Sequence, residues 1–133
     1  MPKIFLTIFL LFAGCGFSEL NEAKVKKMVK GYFTPYSSTK IATPLFIDVI
    51  YLKKLSDKKA VAKVCYQFRF EKDYEELVEY VKSHPHSFLA RFDAGLIALL
   101  GRKFGNFRKN EIKSRCDLVE FEKKYNSWVI SRI

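Results

Sequence analysis

Residues 60–70 read AVAKVCYQFRF, and no other run constrains the fold as strongly. Ala62, Val64, Tyr66, Phe68 and Phe70 share one parity, while Val61, Lys63, Cys65, Gln67 and Arg69 share the other. Side chains alternate across a strand, so the first set packs and the second is half-wet. Residues 44–55 (PLFIDVIYLKKL) are equally rich in β-branched and aromatic types. The four residues between the two runs, Ser56, Asp57, Lys58 and Lys59, make a hairpin the natural connection.

The rest of the chain divides by the same period test. In residues 21–33, Val25, Met28, Val29 and Tyr32 recur at helical spacing, with Lys24, Lys26, Lys27 and Lys30 mostly on the remaining circumference. Gly31 and Pro35 supply the stop, and residues 34–43 read as a loop rich in Ser, Thr and Pro. Residues 73–82 carry a second stripe, Tyr74, Leu77, Val78 and Val81, preceded by an Asp73/Glu76 pair that resembles a capping box. A longer helix is expected over 88–100, stopped by Gly101 or Gly105, with residues 94–100 apolar nearly all round and so buried. An extended polar-leaning run over 108–122, a turn at 123–126 and a strand over 127–133 close the chain as a second hairpin. The order is α-β-β-α-α-β-β, an α+β fold with an antiparallel sheet of about four strands, an N-terminal helix and an inserted helical pair. With 133 residues, 49% hydrophobic, there is material for one core and no room for two domains.

The first residues are read apart from the fold. Lys3 gives a short positive region, residues 4–12 an apolar stretch interrupted only by Thr7, and Ala13, Gly14, Cys15 and Gly16 a small-residue cluster. This is the pattern of a secretory signal. Nine residues at about 1.5 Å each cover under half of a hydrocarbon core of about 30 Å, so the stretch is too short to span a membrane. The alternative is a buried N-terminal strand, which would not explain the small residues that follow.

The quartet Phe12-Ala13-Gly14-Cys15 resembles the lipobox of bacterial lipoproteins. That resemblance implies cleavage before Cys15, acylation of Cys15, and a chain of 119 residues hanging from two or three acyl chains. Each buried methylene adds about 0.8 kcal/mol, so such an anchor is effectively permanent. Gly16, in place of the Asp that in enteric lipoproteins implies inner-membrane retention, permits the periplasmic side of the outer membrane. Residues 1–14 are then signal, 15–20 a leash and 21–133 a single domain. The competing reading is ordinary signal-peptidase cleavage near Ala13 to Gly16, releasing a soluble protein.

Once Cys15 is set aside, Cys65 and Cys116 remain as an even pair that an oxidising compartment can bridge. The alternative is two reduced, buried cysteines. Their parities raise a difficulty, since Cys65 lies on the polar face of its strand whereas Cys116 shares a parity with Ile112 and Leu118. A bulge near Asp117, or helices covering both sheet faces, would resolve it.

The element order, with Val119-Glu120-Phe121-Glu122-Lys123-Lys124 followed by Trp128-Val129-Ile130, is similar to the closing hairpin of NTF2-like and cystatin-like bacterial lipoproteins. This resemblance implies a curved sheet around a helix and a scaffold or ligand-binding role in the envelope, and it carries no catalytic residues onto the chain.

Catalytic motifs give nothing to set against this. His84-Pro85-His86 beside Asp93 is too few ligands for zinc, and Pro85 near a helix start accounts for the loop. Glu71, Asp73, Glu75, Glu76 and Glu79 are spread by helical spacing over a wet face. There is no G-x-S-x-G, H-E-x-x-H or P-loop. The chain is therefore read as a non-enzyme without metal or cofactor.

Charge remains. There are 24 Lys+Arg against 14 Asp+Glu, a net +10 of which Lys3 carries one. Lys53, Lys54, Lys58 and Lys59 crowd the first hairpin tip, and Arg102, Lys103, Arg108, Lys109, Lys113 and Arg115 the approach to the third strand. Export argues against nucleic acid and for anionic lipid, peptidoglycan or an acidic envelope protein, with Lys53, Lys54, Lys58, Lys59, Arg108 and Lys109 as the contact residues. Two functions survive. A membrane-anchored scaffold or adaptor should expose an apolar patch beside the basic hairpin. A small-ligand or lipid carrier should enclose a cavity lined by Phe68, Phe88, Phe92, Leu96 and Trp128.

Overall fold

The computed structural model describes residues 19–37 and 39–133. The signal, the lipobox and acylation at Cys15 lie outside the described residues. The chain forms α1 (Glu22–Tyr32), β1 (Ala42–Ser56), β2 (Lys59–Phe70), α2 (Tyr74–Ser83), α3 (Phe88–Phe104), β3 (Ile112–Lys124) and β4 (Ser127–Arg132). The strands make one antiparallel sheet in the order β1-β2-β3-β4, so the architecture is α+β in the order expected. Two boundaries move. Helix α3 runs past Gly101 to Phe104 and ends at Gly105, whose φ of 74° suits glycine. Strand β3 starts four residues later than expected, because Glu111 N–H donates to the Arg108 carbonyl at 3.0 Å and closes a turn there.

The helix starts follow from capping chemistry, with one exception. Asn21 Oδ1 accepts from Lys24 N–H at 2.8 Å and Ser87 Oγ from Ala90 N–H at 3.3 Å, each satisfying an otherwise orphaned donor. Asp73 stands at the N-cap of α2 but its side chain does not cap, so the capping box does not form. Its Oδ1 accepts instead from Lys109 N–H at 2.7 Å, while Tyr74 N–H donates to the Phe107 carbonyl at 2.9 Å. A tertiary strap between α2 and the loop before β3 has displaced the local cap.

The three described helices pack on one face of the sheet, the face made by Ala60, Ala62, Val64, Tyr66, Phe68 and Phe70 of β2. Phe33, just past α1, lies 5.1 Å from the rings of both Tyr66 and Phe68. Phe104 at the end of α3 meets Phe70 at 5.4 Å, and Phe107 stacks on Phe70 at 3.9 Å. Buried aromatics of this kind supply most of the burial free energy of a small core, and edge-to-face pairs add about 0.5–1.5 kcal/mol each. Among the described residues, no helix packs on the opposite face of the sheet.

Two acidic side chains are held inside. Asp93 of α3 is 2% exposed and accepts from Tyr36 N–H at 2.7 Å, Ser37 N–H at 3.3 Å and the Ser37 hydroxyl. It fixes the α1–β1 connection onto α3 and is not a companion of the histidines. Asp117 of β3 faces inward with its side chain 11% exposed, against Lys103 at 8%. Its Oδ2 accepts from Lys103 Nζ at 2.8 Å and from the Tyr66 hydroxyl, and its Oδ1 from Arg115 Nε at 2.8 Å. Lys113 Nζ and Arg115 Nη1 donate to the carbonyls of Phe104 and Lys103, each at 3.0 Å, so β3 caps the C-terminus of α3 with positive charge.

At Gly101, α3 passes close to the Tyr74 ring of α2. A Cβ there would stand 2.6 Å from a ring carbon of Tyr74. Gly101→Ala is expected to cost about 1–3 kcal/mol in urea melts through forced repacking, and to cost less in a Tyr74→Ala background.

Candidate functional site

On the bare face, Cys65 and Cys116 stand directly opposite each other in the β2–β3 ladder. Their sulfurs are 2.05 Å apart, the separation of a disulfide bond, and their Cα atoms 3.9 Å apart. The parity difficulty disappears for a reason other than the two considered. The β2–β3 register is unbroken, so there is no bulge near Asp117, and none of the described helices covers the second face. Instead Ile112 and Leu118, at 53% and 57% exposed, point outward with Cys116, and the core takes Val119 and Phe121.

The four lysines of the first hairpin, Lys53, Lys54, Lys58 and Lys59, are all exposed at its tip. Lys123 N–H donates to the Lys58 carbonyl at 2.9 Å, which brings the β3–β4 turn alongside. Asp57, Lys58, Lys123, Tyr125 and Asn126 line a notch of about 260 Å³ between the two tips. Glu19 Oε1 lies 3.7 Å from Lys54 Nζ, so the chain also enters the domain at this end. Arg108 and Lys109 are not part of the group. They sit in the loop against Phe70, at the other end of β2, roughly 35 Å away at 3.3 Å per strand residue. The expected basic crowd before the third strand also dissolves, since Lys103, Lys113 and Arg115 point inward to Asp117 and the α3 carbonyls.

Running down to the tip is an apolar strip that sequence reasoning did not find. Strand β1 contains three bulges, each setting two of its residues opposite one residue of β2: Leu45 and Phe46 against Gln67, Ile50 and Tyr51 against Lys63, Leu55 and Ser56 against Lys59. All five large apolar residues among these are exposed. A bulge re-aims the side chain at which it occurs, so Leu45, Ile50 and Leu55 stay out of the core despite being apolar. The available signal was the loss of alternation in β1, where Leu45-Phe46-Ile47 and Val49-Ile50-Tyr51-Leu52 run on without a polar break.

The five residues expected to line an enclosed cavity are not brought together. Phe68 and Trp128 are buried in the core, Phe88 is exposed with its ring edge-on to Phe92 at 5.1 Å, and Phe92 and Leu96 line one space without it. That space is a surface cleft of about 350 Å³ between α1 and α3, completed by Tyr32, Tyr36, Leu99 and Arg102. A second cleft of about 330 Å³ places Lys26, Lys27 and Lys30 of α1 above Pro44, Leu45, Phe46 and Ile47 at the edge of β1.

The titratable groups serve the fold. Burial raises the Asp117 carboxyl, but hydrogen bonds from Lys103, Tyr66 and Arg115 outweigh that and hold it below the usual carboxylate range. Burial, with Asp117 alongside, pushes the Tyr66 phenol far above its ordinary value. His84 Nδ1 lies 2.9 Å from the Tyr80 carbonyl at the end of α2, and its ring lies tilted against that of Tyr80, centroids 4.6 Å apart. Glu75, Glu76 and Glu79 face solvent. Among the described residues no three His, Cys, Asp or Glu side chains are grouped to hold a metal, and no helix is long and apolar enough to cross a membrane. No family model, no curated protein and no solved structure matches the chain.

Proposed function

We propose that this chain is a bacterial envelope lipoprotein, anchored through acylated Cys15 on the periplasmic side of the outer membrane, and that it acts as a non-catalytic scaffold or adaptor. The observation that supports an adaptor over a carrier is the exposed apolar strip of β1, which reaches the lysine-rich hairpin tip. A strip of Phe46, Ile50, Tyr51 and Leu55 beside the bare sheet face is area that a partner protein can bury. The surface clefts, each open to solvent, favour a carrier less. A disulfide across the exposed face of the sheet accords with export, where such a bond persists.

Two measurements test the reading. Photo-crosslinking from Ile50 and Leu118 in intact cells should capture a discrete envelope protein; labelling confined to small molecules would favour the carrier. Cys15→Ser should leave the chain unprocessed or release it from the membrane fraction. Unchanged fractionation would remove the lipid anchor.

A further inference from the structure

We infer that the end of the domain built from the two hairpin tips is a lipid-facing surface, which lies on the anionic phospholipid headgroups of the leaflet holding the anchor. The inference rests on Cys15 being the acylated start of the mature chain. Three residues lie between Cys15 and Glu19, and the four Cα–Cα steps reach about 14 Å when fully extended. Glu19 is within 3.7 Å of Lys54, so the tether delivers this end, and not the Arg108 end, to the bilayer.

Charge and shape agree with that placement. Lys53, Lys54, Lys58, Lys59, Lys123 and Lys124 outnumber the carboxylates of Glu19, Asp57 and Glu122 by three. The two ion pairs among them, Lys54–Glu19 at 3.7 Å and Lys124–Glu122 at 4.0 Å, are long and exposed, and hold the lysines back little. Between the lysines stand Leu55, exposed on the first tip, and Tyr125, 101% exposed on the second. Amphipathic aromatics favour the headgroup level, where the ring is buried and the hydroxyl stays wet.

Tyr125 carries a second mark. It and Asn126 form a two-residue turn with φ of 51° and 65°, the left-handed region. Asn, Asp and Gly suit such a turn, whereas a bulky residue at positive φ is an outlier. Folding alone would favour Asn or Gly at this position; the exposed ring adds nothing to the core. A ring kept at a strained position outside the core is accounted for by contact with something beyond the domain.

The test uses the chain from residue 15 with Cys15→Ser, which keeps every buried side chain of the described core, since these begin at Leu20. Co-sedimentation with vesicles of equal parts phosphatidylglycerol and phosphatidylcholine should show partitioning that falls with added salt and is weak on pure phosphatidylcholine. Each lysine at an anionic surface contributes roughly fivefold. Reversing Lys53, Lys54, Lys58 and Lys59 to Glu should therefore cut partitioning more than tenfold. Tyr125→Asn should weaken it severalfold while melting at the same or a higher temperature. Reversing Lys26, Lys27 and Lys30, in the α1–β1 cleft, should change it little. Equal partitioning into both vesicle types overturns the inference, as does loss caused by the α1 variant and not by the tip variants, or capture by peptidoglycan sacculi or an acidic protein without vesicle binding. The anchor is tested apart, by the mass of Cys15 in protein from native membranes, so either reading can fail with the other intact.

Discussion

Asp117→Ala is expected to destabilise the domain by about 3–5 kcal/mol, because it leaves a charge buried without its partner. The Lys103 side chain is 8% exposed and its Nζ bonds Asp117 at 2.8 Å; the Tyr66 hydroxyl, inside the core, donates to the same oxygen. Removing the carboxylate strands both at once and frees Arg115 from its position over the end of α3. Asp117→Asn keeps the shape and isolates the loss of charge. The pH dependence has a definite sign. The folded carboxyl is held below its unfolded value of about 4, so its contribution is full above that pH and is lost as pH falls through the lower folded value. The gap between native protein and Asp117→Asn in urea midpoint should therefore be wide at neutral pH and close on acidification. A gap that persists unchanged at low pH would show that the carboxylate's charge is not what stabilises the cluster.

The second large effect is expected from Cys65→Ser with Cys116→Ser. The two residues are 51 apart in sequence, for which loop-closure entropy gives about 4 kcal/mol. Both face outward, so serine leaves no cavity, and the loss can be assigned to the cross-link rather than to packing. For a domain of this size about 4 kcal/mol corresponds to a fall in melting temperature of about 15 °C. Reduced native protein should melt with the double variant. Denatured, unreduced protein should expose two fewer thiols than reduced protein; titration of both Cys65 and Cys116 would mean that the bond is absent.

What could be read from sequence was what local periodicity encodes. The alternation of residues 60–70 placed β2 and its buried face, and the stripe of Val25 and Val29 placed α1 and its buried face, because each is set by a few neighbouring residues. The lysines of the first hairpin were also legible, since a turn between two strands puts its residues at a tip. Long-range competition hid the rest. Asp73 looks like a cap until the Lys109 amide, 36 residues on, takes its oxygen. Lys103, Lys113 and Arg115 look like surface charge until Asp117 and the last carbonyls of α3 turn them inward. Leu118 and Ile112 look like core because they are apolar, and their outward orientation follows only from β2–β3 pairing. The two hairpin tips are separated by some 65 residues, and only the sheet order places Tyr125 beside Lys58.

The bulges of β1 have an effect beyond the strip that they create. An edge strand of 15 residues is a template on which another chain can add itself. Successive interruptions at Leu45, Ile50 and Leu55 leave only four regularly spaced residues between one and the next. No incoming strand can zip along more than that without slipping out of step. High local concentration should therefore leave these proteins as separate bodies instead of growing ribbons.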